Sequence, residues 1–464
     1  MRRALPSCLV EGFPAEFVWG VATSAYQIEG AVAEDGRGPS IWDTFSHTPG
    51  RVAKGETGDV ACDHYHRWRE DLDLIADLGV DAYRLSIAWP RIQPTGAGPV
   101  EQRGLDFYRR LLDGLRSRNI TPYVTLYHWD LPQALEDQGG WRVRETAERF
   151  AEYAEIVGAA LAEFEPRWIT LNEPYCSAIV GYAQGRHAPG AREGHGALAA
   201  AHHLLLAHGL AVSALRSYGP AVGVTLNYSP IVPMSAAAED HTAARRLDLV
   251  HNRIFLDPLL RGAYPDDYDE VLGSLTDRSF VRDGDLAIIS TPIDFLGINY
   301  YFRIHVRAGT LTTGDTPHDI GVEYGLPDGP ARTMLDWPIE PDGLYETLVG
   351  LRDTYPGLPP IYITENGCAW PDQPGVPDDA RIAYVADHLA ALRRAMATGV
   401  DVRGYFYWSI LDNFEWARGY DPRFGLVHVD YQTQVRTPKA SYYWLRERLA
   451  ARRGAGRATT PRQG

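Results

Sequence analysis

Residues 63–89 read DHYHRWREDLDLIADLGVDAYRLSIAW, and two periodicities meet inside them. From Asp63 to Leu78 the apolar residues Tyr65, Trp68, Leu72, Ile75 and Leu78 fall three or four apart, one face of a helix. From Ala82 to Trp89 the run turns short and apolar, which reads as a buried strand. The same pairing recurs along the chain. Further short runs are Phe17–Ala22, Pro122–Tyr127, Trp168–Leu171, Val222–Asn227, Phe295–Tyr300, Ile361–Thr364 and Gly404–Ile410. Leu105–Leu115 and Ala147–Ala162 repeat the helical spacing between them.

Eight strands separated by helices imply parallel crossovers, in a closed barrel or a doubly wound sheet. No GxGxxG turn follows the first strand, which removes the strongest sign of a dinucleotide fold. The predicted fold class is α/β, a single (β/α)8 TIM barrel with long βα loops. The chain is taken as one catalytic domain over residues 1–464. Its ordered core is placed at about 12–448, with a disordered tail at 450–464 that is rich in Arg, Gly and Thr.

The balance of 45 Lys+Arg against 60 Asp+Glu leaves a formal charge of −15 over 464 residues, which argues against a nucleic-acid partner. Cys8, Cys62, Cys176 and Cys368 form no CxxC pair and read as small buried hydrophobes. Pro6 breaks the N-terminal apolar residues, so no secretory segment is expected and the compartment is taken as cytoplasmic. Gly196–Leu215 lacks Asp, Glu, Lys and Arg, yet holds His202, His203 and His208; it reads as a buried packing helix with no membrane role. These histidines, with His64 and His66, show no metal-ligand spacing, and neither metal nor cofactor is expected.

Polar and aromatic residues gather at the C-terminal ends of the strands, the rim on which barrel enzymes carry their sites. Glu173 follows Trp168-Ile169-Thr170-Leu171-Asn172, and Glu365 follows Ile361-Tyr362-Ile363-Thr364. Two carboxylates on one rim, from different strands, suit glycoside hydrolysis: one as acid/base, the other as nucleophile or base. Gln27, His128-Trp129, Asn172, Asn299-Tyr300-Tyr301, Trp408 and Asn413-Phe414-Glu415-Trp416 supply amides and aromatic faces of the kind a sugar needs.

The run Phe17-Val18-Trp19-Gly20-Val21-Ala22-Thr23-Ser24-Ala25-Tyr26-Gln27-Ile28-Glu29-Gly30 closely resembles the N-terminal signature of glycoside hydrolase family 1, the β-glucosidase family. Thr170-Leu171-Asn172-Glu173-Pro174 and Ile363-Thr364-Glu365-Asn366-Gly367 resemble its acid/base and nucleophile motifs. His128-Trp129-Asp130-Leu131-Pro132, Asn299-Tyr300-Tyr301 and Asp412-Asn413-Phe414-Glu415-Trp416 match further blocks, in order, from about residue 12 to 448.

The resemblance implies a retaining β-glycosidase with Glu173 as acid/base and Glu365 as nucleophile. It assigns Gln27, His128, Asn172, Trp408, Glu415 and Trp416 to the non-reducing sugar, and Tyr301, Arg84 and Asn299 to support of the nucleophile. Trp129 and Phe424 join the substrate-binding set, and Trp337 is the candidate platform on the aglycone side. With Arg84 and Tyr301 beside it, Glu365 is expected to titrate low and Glu173 high. Substrates are expected to be β-glucosides and cello-oligosaccharides, with β-galactosides and β-fucosides also accepted. Tyr175 stands where the family usually has Trp, and Arg418 occupies a variable position. Glu173, where thioglucosidases carry Gln, favours O-glycosides. The alternatives are a catalytically silent sugar-binding barrel and a metal-dependent barrel hydrolase.

Overall fold

The computed structural model describes residues 12–310, 315–372, 375 and 377–458. Each predicted run is a strand: β1 (Val18–Ala22), β2 (Ala82–Ser86), β3 (Thr121–Tyr127) and β4 (Arg167–Asn172), then β5 (Ala221–Asn227), β6 (Phe295–Asn299), β7 (Ile361–Asn366) and β8 (Val402–Trp408). All pair in parallel in chain order, and β8 closes on β1. A closed barrel has no free sheet edge, so every strand is paired on both sides.

The principal crossover helices are α1 (His64–Leu78), α2 (Gln102–Arg116), α3 (Arg144–Leu161) and α4 (His195–Leu215), then α5 (Ile254–Arg261), α6 (Pro341–Thr354), α7 (Asp379–Ala397) and α8 (Ala440–Ala458). In α1 the predicted apolar face is buried, and Gly79 ends the helix at φ +83°, where a Cβ would be strained. α4 is apolar enough in composition to cross a membrane, yet 83% of that window is buried inside the protein. Its histidines hold protein partners: His202 Nε2 lies 2.9 Å from Asp285, His203 Nδ1 3.0 Å from the Trp141 carbonyl, and His208 Nδ1 2.6 Å from Thr170 Oγ1.

The barrel interior is filled by large side chains against small ones. Tyr123, Ile169, Phe295, Tyr362 and Phe406 share one cluster with Ala22, Ala82 and Ala221. The Tyr123 and Phe406 rings sit 4.8 Å apart, nearly edge to face. Gly20 faces Phe406 so closely that a Cβ would overlap the ring. This layer is the floor on which the polar rim stands.

Part of the expected tail is ordered. Residues 450–458 continue α8, and Arg452 pairs with Asp81 at 3.0 Å and donates to the Phe17 carbonyl at 2.9 Å. A basic helix end with an acidic partner at the barrel base outweighs a composition that suggested disorder; 459–464 lie outside the described residues. The long loops also build elements of their own. Ile231–Pro233, Ile304–Ala308 and Val322–Gly325 form a three-stranded sheet from the segments after β5 and β6.

Candidate active site

Both acidic strands lose regular register where they reach the rim. β7 slips against β6 between Ile363 and Glu365, and β4 slips against β5 between Ile169 and Asn172. Such irregularities re-aim side chains at strand ends. Glu173, one residue beyond β4, has φ +48°, and Trp129 (+80°), Asp336 (+59°) and Trp416 (+51°) share this uncommon region. Four residues with left-handed backbone therefore come from the loops around one rim, a pattern typical of functional sites.

Arg84, buried on β2, is the hub. Its Nη1 donates to Glu365 Oε1 at 2.6 Å, and its Nη2 donates to Asn172 Oδ1 at 2.6 Å. Tyr301 Oη donates to the other Glu365 oxygen at 2.7 Å. Asn299 Nδ2 donates to Glu173 Oε1 at 2.6 Å and to Asn172 Oδ1 at 3.1 Å, while its own oxygen accepts from Thr364 Oγ1. Asn172 Oδ1 thus receives two donors, which leaves its amide nitrogen 3.1 Å from His128 Nε2. That amide donates, so His128 Nε2 accepts and the imidazole proton is assigned to Nδ1. Burial and the Arg84 charge hold this ring neutral.

The two glutamates differ in partners. Glu365 lies between a guanidinium and a phenol; among the described residues Glu173 is hydrogen-bonded by the uncharged side chains of Asn299 and Cys176. Burial pushes Glu173 up to about 7, and the Glu365 charge adds to that. The expectation that Glu365 titrates low is corrected. Burial moves it upward too, and Arg84 and Tyr301 only oppose that rise. The guanidinium beside Glu365 favours its ionised form, and Glu173 has no such ion pair among the described residues.

On another wall, Gln27 Oε1 accepts from Ser24 at 2.6 Å, and its amide nitrogen donates to Asn413 Oδ1 and the Phe414 carbonyl. Trp416 packs 4.5 Å from both Trp42 and Trp129, and the His128 ring stacks on Trp408 at 5.8 Å. Trp129 Nε1 donates to the Asn172 carbonyl at 3.0 Å. Glu415 is half-buried beside Trp416 with no cation paired to it among the described residues. Burial pushes it up to about 8, and the two other glutamates add to the rise. Opposite, Trp337 is half-buried, stacked on Phe302 at 4.8 Å and tilted toward Tyr301 at 5.3 Å; Phe424 lies 6.0 Å from it. These contacts join Gln27, His128, Trp129, Asn172, Tyr301, Trp337, Trp408, Trp416 and Phe424 to the surroundings of the two glutamates, whereas Tyr300 packs on His388 of α7 and donates to the Glu340 carbonyl at 2.7 Å.

Sequence reading missed two supports. Thr364 orients Asn299, and Cys176 Sγ donates to Glu173 Oε2 at 3.1 Å; Asn413, selected from the sequence as an amide, anchors Gln27. Cys176 is no inert buried thiol; its spacing of three from Glu173 was the available signal. Cys62 and Cys368 are buried as expected, and Cys8 lies outside the described residues.

The profile of glycosyl hydrolase family 1 matches residues 9–454. A bifunctional β-D-glucosidase/β-D-fucosidase of Bifidobacterium breve is 49% identical over 460 residues, covering 94% of this chain and 98% of its own. β-Glucosidase A of Acetivibrio thermocellus is 45% identical over 450 residues, covering 94% of this chain and 97% of its own. The solved family 1 β-glucosidase from Thermotoga maritima superposes with a TM-score of 0.90 at 45% identity, covering 95% of this chain and 98% of that one. With that match spanning nearly the whole chain and the paired carboxyls on the barrel rim, the protein belongs to glycosyl hydrolase family 1 and is a glycoside hydrolase.

Proposed function

We propose that the protein is a retaining β-glucosidase that removes terminal non-reducing β-D-glucosyl residues from aryl glucosides and cello-oligosaccharides. The observation that carries this reading is the unequal setting of the two carboxyls: Glu365 accepts from the Arg84 guanidinium and the Tyr301 phenol, whereas Glu173 accepts from an amide and a thiol and burial pushes it up to about 7. Glu365 attacks the anomeric carbon while Glu173 gives its proton to the departing oxygen. The bond to the aglycone breaks and an ester to Glu365 forms. Esterification removes the Glu365 charge, so Glu173 loses that repulsion, ionises more readily and takes a proton from the attacking water.

Gln27, His128, Asn172, Glu415, Trp408 and Trp416 hold the sugar in this reading; Trp129 and Phe424 complete its walls, and Trp337 supports the aglycone. β-D-Fucosides and β-D-galactosides are further proposed substrates, and the Bifidobacterium breve relative, named for glucosidase and fucosidase activity, favours the first. The whole barrel acts as one catalytic domain. A cytoplasmic site is proposed, in keeping with three free cysteines among the described residues.

A panel of aryl β-glycosides, followed by β-1,4, β-1,3 and β-1,6 disaccharides, with and without chelator, tests the reading. Hydrolysis of the glucoside and fucoside, unaffected by chelator, is expected. Loss of activity with chelator would favour a metal hydrolase; binding of glucose without turnover of any glycoside would favour a silent barrel.

A further inference from the structure

Glu173 has a different neighbour on each oxygen. Oε1 faces Asn299 Nδ2 at 2.6 Å, and an amide N–H cannot accept a proton in return. The orientation of that amide follows from its oxygen, which accepts from Thr364 Oγ1 at 2.7 Å. The acidic proton of Glu173 is therefore excluded from Oε1 and must sit on Oε2. There the hydrogen-bonding neighbour among the described residues is the Cys176 thiol, 3.1 Å away at the start of the helical segment Cys176–Ala183.

We infer that Cys176 is a positioning residue for the acid/base glutamate, a weak and reversible partner for the oxygen that carries the catalytic proton. The inference rests on the assignment of Glu173 as acid/base. A thiol is a poor acceptor, so a protonated Oε2 is left free to turn to the departing glycosidic oxygen. It is also a donor, so once Glu173 has ionised, S–H supports the carboxylate until water is activated. Burial and the Glu173 charge hold the thiol well above its ordinary range, which keeps it S–H. It is thus a hydrogen-bond partner and no nucleophile.

The other charged groups around Glu173 come from separate elements. Glu365 on β7 raises its proton affinity, Arg84 on β2 lowers it, and Tyr301 and Glu415 complete the acidic surroundings. Arg186 acts on the thiol. None of these is altered by a change at Cys176.

The test is the basic limb of kcat/KM against pH for a substrate with a poor leaving group, in Cys176→Ala, Cys176→Ser and the unmodified protein. Alanine removes the donor, and the limb should move up by about half a pH unit. Serine is the stronger donor of nearly the same shape, and the limb should move down by a similar amount. Opposite displacements cannot arise from packing alone. Limbs that coincide in all three proteins, or that shift the same way in both variants, would overturn the inference. Thermal melts report folding, and if the alanine form fails to fold, the serine limb alone decides by its direction. A Glu173→Gln control separates the two levels. If the basic limb survives there, the acid/base assignment falls; if it vanishes there yet stays fixed in both Cys176 variants, only the role of Cys176 falls.

Discussion

Glu365 and Glu173 share a rim but not a chemistry, and their variants should separate. Glu365→Gly should lose turnover and regain it with azide, which fits the vacated space and gives an α-glycosyl azide identifiable by NMR. Glu173→Ala should lose about 10²–10⁴-fold on poor leaving groups and far less on dinitrophenyl glucosides, whose leaving group needs no proton. An equal loss across leaving groups would reverse the roles. In the proposed roles the pH profile should be bell-shaped, with the basic limb set by Glu173, pushed up to about 7, and the acidic limb by ionisation of Glu365, the two titrating as a coupled pair.

Asp130 shows the same physics without a reactive partner. It is fully buried, neither oxygen meets a hydrogen-bonding side chain among the described residues, and burial pushes its pKa from 3.8 to about 8. The folded protein keeps a proton that the unfolded chain releases above about pH 4. Asp130 therefore costs stability progressively as pH rises from 4 toward 8, and the cost is complete above 8, where the buried group has ionised as well. Asp130→Asn should remove that slope, so its melting temperature relative to the parent should rise between pH 5 and pH 9. A difference that stays constant with pH would refute this.

At the scale of the element, strand register and lumen packing hold the rim residues in place. Gly20 on β1 leaves the space that the Phe406 ring of β8 fills. Gly20→Ala should cost about 1–3 kcal/mol by overpacking, read from denaturant midpoints at unchanged slope. Phe406→Leu should relieve part of that cost in the double variant, because neighbouring sites are not additive. Additive losses would show that the two strands do not compete for this space. The register slips at Glu365 and before Asn172 belong to the same scale: they turn two strand ends so that both acids reach Asn299 and Arg84.

For the whole molecule, the stereochemistry follows from how far the barrel holds the two carboxyls apart. A spacing of about 5 Å allows direct attack, so the first product seen by NMR should be the β-anomer. An initial α-product would require room for a water between Glu365 and the anomeric carbon. The acidic wall at Glu415 also sets a substrate limit. A 6-phosphate would bring about two negative charges into a half-buried wall where Glu415 has no ion-paired cation among the described residues and where burial already disfavours charge, so 6-phospho-β-glucosides should be cut at least ~100-fold less efficiently than glucosides. Equal efficiencies would refute that charge argument.

Periodicity and local chemistry were legible without coordinates. The eight apolar runs became the eight strands because a buried parallel strand must be apolar on both faces, which composition alone displays. The two glutamates were legible for the converse reason, since charge at the end of such a run needs a purpose. What the sequence could not contain is distance. Arg84 and Glu365 are separated by 281 positions and meet at 2.6 Å only because closure brings β2 and β7 to one lumen. The proton affinities were likewise decided by the fold: local motifs promised a low Glu365, and burial raised it. Cys176, three residues from Glu173, was available to local reading, but whether a thiol meets a carboxyl depends on a φ of +48° at Glu173 and a helix start beside it. Residue type and period determined the elements; closure of the barrel and exclusion of water from its rim decided which groups touch and what charge they carry.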